Sequence, residues 1–286
     1  MTIEPLILMI MLVAALALAI AGGRALMHRL PRSERRIPET DVPDRWREIL
    51  ARNVPLANRL PPDHRERLLR LAAELIRRKH WEGCNGLEMT EEIQVTIAAH
   101  ACLLTLELDA GFFPKLRTVL VYPTSFVANR GDDHDTWGIT EAGPDVLHGE
   151  SWSAGMVVLA WDQVLNGARD PSDGQNVVLH EFAHQLDQED GRPDGVPLYG
   201  LAGSWDDLLA TELARLRDDA DRGRRTVLDP YGAEDESEFF AVATETFFER
   251  PRAMKRAHAE LYAALSSFYR QDPAARIADG DAQEGP

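Results

Sequence analysis

The sequence predicts an α+β domain that is mostly helical, contains a small sheet and follows one apolar N-terminal helix. Apolar residues recur at helical spacing in most of the chain after residue 44, whereas two short segments are rich in β-branched residues. Few strands and many helices are typical of the α+β class. A hydrophobic fraction of 44% in 286 residues is ample for a real core.

Residues 1–23 are predicted to form a transmembrane anchor. No charged residue occurs from residue 6 to residue 23, which is close to the ~17 to 20 residues needed to cross the hydrocarbon core. A cleaved signal peptide would begin with Lys or Arg, but the charge that precedes the run is Glu4. A buried or surface-lying apolar helix is the other alternative.

The charges that follow this segment predict its orientation. Five arginines come soon after it: Arg24, Arg29, Arg32, Arg35 and Arg36. Positive residues stay on the cytoplasmic side of a membrane. We therefore expect a single-pass inner-membrane protein whose folded part faces the cytoplasm, or a soluble cytoplasmic protein if the segment is not inserted. Prolines interrupt residues 24–43, which we interpret as a basic linker.

The folded domain is predicted to span residues 44–273. It begins with a helical part, because apolar residues recur at helical spacing from Trp46 onward and Pro61-Pro62-Asp63 is a typical helix start. Further helices are expected at residues 91–108, 177–188, 205–216 and 236–248, and strands at residues 116–122 and 156–161. Residues 274–286 lack an apolar period, which predicts an acidic, flexible tail.

Charge and cysteine content exclude two classes of function. A net charge of -16 argues against direct binding of nucleic acid, because phosphate contacts need clustered Lys and Arg. Cys84 and Cys102 provide neither a disulfide framework nor a Cys-x-x-Cys metal site. We expect two buried thiols in a reducing compartment.

The pattern His-Glu-Phe-Ala-His at residues 180–184 predicts a zinc site. Positions i and i+4 share one face of a helix, so His180 and His184 can each direct a ring nitrogen to one Zn²⁺. Glu181 is then placed to act as the general base toward a metal-activated water. Such a pattern occurs by chance in about one chain of this length in a hundred. The apolar residues around it favour a buried helix that lines a cleft, and we predict a zinc peptidase.

Catalytic zinc normally has three protein ligands, so a third is expected elsewhere in the chain. The helix predicted at residues 236–248 offers Glu236, Glu238 and Glu245 among aromatic residues. Glu238 and Glu245 are two turns apart on one largely apolar face, where a carboxylate needs a cation or a hydrogen-bond partner. We assign Glu238 as the ligand and Glu245 as the acceptor of a hydrogen bond from a ligand imidazole. The alternative is that either carboxylate is merely solvated.

These residues resemble the Mlc titration factor A family of zinc peptidases, which is also similar to the catalytic domain of anthrax lethal factor. The resemblance covers roughly residues 45–272. It rests on residues 179–187, 229–231 and 238–242, and extends to residues 81–87, 119–123, 149–152 and 157–161.

The resemblance implies a zincin-like fold of the gluzincin type, with Glu238 as the third zinc ligand. It also implies that Tyr231, seven residues before this Glu, hydrogen-bonds the oxyanion of the reaction. The strand at residues 155–161 would hold an extended peptide along an exposed edge. The N-terminal apolar segment is a departure from the soluble family member.

Two functions are left open by the sequence. The first is a peptidase for peptide or protein substrates, with the choice between aminopeptidase and endopeptidase undecided. The second is a regulatory protein that binds and sequesters a partner, such as a transcriptional repressor, with weak peptidase activity. The negative net charge suits a basic partner.

Overall fold

The computed structural model describes residues 42–108, 113–124, 155–196 and 205–277. The predicted anchor, most of the predicted linker and the segment at residues 149–152 lie outside these ranges. No helix within them is both long and apolar enough to cross a membrane.

Helices make up most of the described chain, and three short strands form one sheet. The helices are α1 (Asp44–Asn53), α2 (Pro55–Asn58), α3 (Pro62–Arg78), α4 (Glu91–Thr105), α5 (Trp161–Arg169), α6 (Val177–Asp187), α7 (Trp205–Asp221), α8 (Glu236–Glu249), α9 (Pro251–Ala257) and α10 (Ala259–Tyr269). The strands are β1 (His80–Gly83), β2 (Thr118–Tyr122) and β3 (Met156–Ala160). All pairings are parallel in the order β1-β2-β3, with Val119 opposite Trp81 and Val157. The prediction of a mostly helical α+β domain is confirmed.

Helix α4 lies in the middle of the core and packs against both α3 and α6. Every residue of α4 from position 95 onward is buried, so the helix is surrounded by the core. The Thr90 side chain caps its first turn by accepting a hydrogen bond from the Ile93 N–H at 3.3 Å. Cys102 is buried in α4, but Cys84 is only half-buried, because it follows β1 at the end of the sheet.

The sheet differs from the predicted one in two respects. Trp161 was expected to end a strand, but it begins α5, whose first turn contains Asp162, a favourable charge near a helix N-terminus. Strand β1 was not predicted, because His-Trp-Glu-Gly is short, polar and alternates between exposed and half-buried positions. The remaining predicted strand segments form β2 and β3.

The C-terminal helices fix the position of α8. Phe247 contacts Tyr262 and Tyr269 of α10 with ring centroids 5.2 and 5.5 Å apart, and Phe240 contacts Phe268 at 5.9 Å. These ring contacts hold one side of α8 in the core. The chain then continues through a 3-10 turn at Pro273–Arg276, which overlaps the start of the predicted flexible tail at residues 274–286, and Ala274 is buried there.

Candidate metal centre

The pattern at residues 180–184 lies in the middle of α6, whose start is fixed by Asn176. The Asn176 side chain accepts a hydrogen bond from the Leu179 N–H at 3.2 Å and so caps the helix. On the core side, Phe182 is fully buried against Phe113, with ring centroids 4.8 Å apart. The apolar face of α6 therefore lies in the core.

Glu238 lies in the first turn of α8, where Asp235 caps the helix by accepting the Glu238 N–H at 2.9 Å. Its carboxylate oxygens lie 3.0 Å from Nε2 of His180 and 3.6 Å from Nε2 of His184. The two Nε2 atoms are 3.2 Å apart. The structure thus brings the three predicted ligands together, with one ligand atom of each within 4.8 Å of the others.

The separation of the two ring nitrogens fits a tetrahedral zinc ion. Ligand atoms about 2.0 to 2.1 Å from zinc at tetrahedral angles lie about 3.3 Å from one another. The two Nε2 atoms lie 3.2 Å apart, close to that value. Glu238 approaches them with different oxygens, Oε2 at 3.0 Å from His180 and Oε1 at 3.6 Å from His184. Two imidazoles and a carboxylate are also a common ligand set of catalytic zinc, so the residues present fit the metal.

The charges of the cluster favour a cation between the rings. Burial opposes protonation of His180, but Glu238 and Glu245 beside it hold its pKa well above the ordinary value. Burial lowers the pKa of His184 even though the Glu238 carboxylate lies beside it. Burial would raise the pKa of Glu238, yet the two imidazoles hold this pKa far below its usual range. The carboxylate is therefore charged, and a proton or a metal ion balances it.

Glu245 contacts the opposite side of the His180 ring. Its Oε1 lies 2.8 Å from Nδ1 of His180, and its other oxygen accepts the backbone N–H of Asn176. The carboxylate is 7% exposed. Glu245 therefore lies where a hydrogen-bond acceptor for a ligand imidazole was expected, and it also ties the ring to the start of α6.

Ser237 contacts the His184 ring and connects it to Asp187, and the sequence analysis assigned neither residue to the site. Nδ1 of His184 lies 3.0 Å from the Ser237 hydroxyl, which donates a hydrogen bond to Oδ2 of Asp187 at 2.8 Å. All three side chains are buried. Burial raises the pKa of Asp187 to about 7 although the Ser237 hydrogen bond opposes this. The available signal was their place in the chain, directly before Glu238 and three positions after His184.

Tyr231 lies on a short 3-10 turn that packs on α8. Asp229 caps the turn by accepting the Tyr231 N–H at 2.9 Å. A Cβ atom at Gly232 would lie 3.1 Å from the nearest side-chain atom of α8, so glycine allows the close approach. The Tyr231 ring is 40% exposed, and its centroid lies 6.0 Å from that of His180. The structure thus places Tyr231 beside the metal cluster.

A cavity of about 390 Å³ opens beside His180 and Tyr231. Its polar wall is formed by side chains of α5 and of the segments before α6 and Tyr231: Gln163, Asn166, Asp173, Gln175 and Asp229. Amides and carboxylates of this kind can bond to the N–H and C=O groups of an extended peptide. Glu181, the predicted base, is 2% exposed on the same helix as His180.

Comparisons with known proteins cover nearly all of the described domain. The model of a family described as glucose-regulated metallo-peptidase M90 matches residues 28–270. An uncharacterized protein of Synechocystis sp. is 37% identical over 250 residues, which are 86% of this chain and 90% of that protein. Mlc titration factor A of Serratia proteamaculans is 33% identical over 84% of this chain and 92% of its own length. The protein of that name from Yersinia enterocolitica is 33% identical over 84% and 90%.

Proposed function

Because this chain belongs to the M90 family of glucose-regulated metallo-peptidases, with Mlc titration factor A among its relatives, we propose that it is a zinc-dependent peptidase. In this proposal His180, His184 and Glu238 hold the metal. The observation that carries it is the convergence of their ligand atoms within 4.8 Å, beside a cavity with polar walls.

The proposed mechanism assigns one proton carrier and one hydrogen-bond donor. Zinc bound at this site would polarise the peptide carbonyl and lower the pKa of a water molecule. Glu181 accepts the proton of the attacking water and delivers it to the leaving amine. Because Glu181 is only 2% exposed, it does so away from bulk solvent, where electrostatic interactions are stronger. The Tyr231 hydroxyl donates a hydrogen bond to the carbonyl oxygen as negative charge develops on it.

We propose that β3 aligns the substrate. Within the described ranges β3 pairs with β2 alone, and Val158 in its middle is 38% exposed. A peptide in extended conformation could add to the other side of β3 through backbone hydrogen bonds. Such binding accepts many side chains, so sequence preference would come from the cavity beside His180.

The decisive experiment compares the full chain with its Glu181→Gln variant. Both proteins are expected to retain one zinc per chain, while the variant loses about 10² to 10⁴-fold in peptide hydrolysis because it lacks the proton acceptor. A peptide-library digest read by mass spectrometry measures hydrolysis and separates aminopeptidase from endopeptidase products. Glu260→Gln, an exposed change on α10, is the matched control and is expected to leave hydrolysis unchanged. A wild-type chain without zinc, or full activity of Glu181→Gln, would overturn the proposal.

A second proposed function is the sequestration of a regulatory protein. Two of the compared relatives are named Mlc titration factor A, and the net charge of -16 favours a basic partner. A pulldown that survives both Glu181→Gln and His180→Ala but fails after changes on the acidic surface would support this function. Loss of capture in the two site variants would instead connect binding to the metal centre.

We also propose that residues 6–23 anchor the protein in the inner membrane, with the domain in the cytoplasm. The support is the uncharged apolar run and the five arginines that follow it. Sedimentation of the full chain with membranes, and its release after deletion of residues 1–23, is the expected result. A full chain that remains in the supernatant would contradict the anchor.

A further inference from the structure

Ser237 connects the second imidazole of the metal cluster to a buried carboxylate. Its hydroxyl oxygen lies 3.0 Å from Nδ1 of His184 and 2.8 Å from Oδ2 of Asp187. His184 and Asp187 are fully buried, and Ser237 is 5% exposed. The three side chains therefore form a chain of hydrogen bonds that bulk water does not reach.

The direction of these two hydrogen bonds determines which nitrogen of His184 carries the proton. A hydroxyl has one hydrogen. When Asp187 is ionised, this hydrogen is donated to its carboxylate, so the hydroxyl oxygen can only accept from the ring. Nδ1 of His184 must then be protonated. In the neutral ring this leaves the lone pair on Nε2, the atom that faces Glu238.

Each imidazole of the cluster is held by a different acceptor on the same helix. Glu245 accepts directly from Nδ1 of His180, whereas Nδ1 of His184 reaches its carboxylate through the hydroxyl of Ser237. Glu238 lies between these two acceptors in the sequence of α8. One helix thus supplies a ligand and the groups that orient the other two ligands.

We propose that Ser237 and Asp187 are positioning residues that hold His184 in the tautomer with a free Nε2 lone pair. The inference rests on the proposed zinc site and deepens it, because it names the residues that prepare one ligand for the metal. Partners of ligand imidazoles typically change metal affinity by about 10 to 100-fold.

The first test measures the zinc dissociation constant of the full chain by competition with a chelator. Ser237→Ala removes the acceptor and is expected to weaken binding about 10 to 100-fold, while Ser237→Thr retains the hydroxyl and is expected to restore most of the affinity. The visible spectrum of the cobalt(II)-loaded protein is expected to change in Ser237→Ala but not in Ser237→Thr. Zinc affinity within about twofold of wild type in a folded Ser237→Ala variant would overturn the inference.

The second test reads the tautomer itself and needs no metal. Asp187→Asn keeps the shape of the side chain, but its amide can donate to the Ser237 oxygen, which turns the hydroxyl proton toward Nδ1 of His184. Nitrogen NMR of the histidine rings is expected to show that protonation of His184 shifts from Nδ1 to Nε2. His180 provides the reference within the same molecule, because its acceptor Glu245 is unchanged. An unchanged His184 tautomer in both Asp187→Asn and Ser237→Ala would overturn the inference, because Ser237→Ala removes the acceptor at Nδ1 whichever way the amide turns.

The two levels of proposal fail in different ways. If the wild-type chain binds no zinc, the proposed function fails whatever the variants do. If the wild type binds zinc tightly and both variants bind it equally well, only the role of Ser237 and Asp187 fails. Denaturant unfolding of each metal-free variant shows whether it folds, and the isosteric Asp187→Asn decides the question if Ser237→Ala does not.

Discussion

Oε1 of Glu245 lies 2.8 Å from Nδ1 of His180, while the other oxygen of the same carboxylate accepts the backbone N–H of Asn176 at the start of α6. Both donors need an acceptor, and a carboxylate offers two. An amide offers an acceptor to only one of them. Even an isosteric substitution of Glu245 therefore disrupts one of these two hydrogen bonds.

Glu245→Gln is therefore expected to weaken zinc binding about 10 to 100-fold. The amide NH₂ group of the variant must face either the His180 ring or the Asn176 N–H. Because both of these groups are donors, one of the two hydrogen bonds is lost. Chelator competition measures the affinity, and the exposed Glu260→Gln serves as control. Unchanged zinc affinity in Glu245→Gln would show that the contact does not orient the ring.

Tyr231→Phe is expected to lower kcat by about 10² to 10³-fold and to leave zinc content unchanged. The lost hydroxyl is proposed to stabilise the developing oxyanion, and one such donor typically has this effect. Because the ring is 40% exposed, unfolding free energy is expected to change by less than about 0.5 kcal/mol. Steady-state kinetics and metal analysis of the variant check both parts, and an unaltered kcat contradicts the assignment.

Zinc affinity is expected to rise with pH through the neutral range. Glu238 and Glu245 hold the pKa of His180 well above its ordinary value, so a proton occupies this ligand at neutral pH and must leave before the metal binds. Below the pKa of His180 the apparent affinity gains about tenfold per pH unit, and above it the affinity levels off. Calorimetric titrations at several pH values provide the measurement. An affinity that is independent of pH would show that His180 binds zinc without releasing a proton.

Glu189→Gln is expected to stabilise the protein above neutral pH and to have little effect in mild acid. Burial raises the pKa of Glu189 to about 7 despite the nearby Lys115, and no described residue hydrogen-bonds its carboxylate. Because the pKa of Glu189 is raised in the folded state, its burial does not reduce the free energy of unfolding of the wild type below about pH 4.5. As pH rises to about 7, this free energy falls by up to about 3 kcal/mol. Urea unfolding of both proteins on either side of this pH range measures the difference between their unfolding free energies. A difference that is the same at all pH values would contradict the prediction.

Gly195→Ala is expected to destabilise the fold more than Gly223→Ala. Both glycines have positive φ, +70° and +61°, so both substitutions carry backbone strain of about 1 kcal/mol. At Gly195 the new Cβ would also lie 2.4 Å from the carbonyl oxygen of Glu236, whereas at Gly223 nothing lies within 4 Å. Urea unfolding measures how much more unfolding free energy Gly195→Ala loses than Gly223→Ala. This additional loss reports the close approach of the Gly195 loop to α8. Equal losses would contradict it.

The features predictable from sequence are those that repeat locally. The apolar periodicity around residues 91–108 predicted α4, and the spacing of His180 and His184 predicted two atoms that face one point. Helical spacing also placed Glu238 and Glu245 on one face, where both contact His180. Each of these inferences uses residues of a single element.

The features that were not predictable join residues from distant elements. The Ser237 hydroxyl meets Asp187 across 50 positions of sequence, and neither residue is unusual in its own helix. Strand β1 has little β-branched character and is a strand because β2 lies alongside it. In both cases the partner, not the local sequence, decides the role.

The ligands of the metal site are divided between α6 and α8, which α7 separates in the chain. An unfolded chain has no such site, so the proposed zinc would stabilise the native state alone, by about 4 kcal/mol when its free concentration is a thousand times the dissociation constant. A cell depleted of zinc would hold about a thousandfold more of the unfolded chain, which proteases degrade. The abundance of the protein, as well as its activity, would then follow the zinc supply.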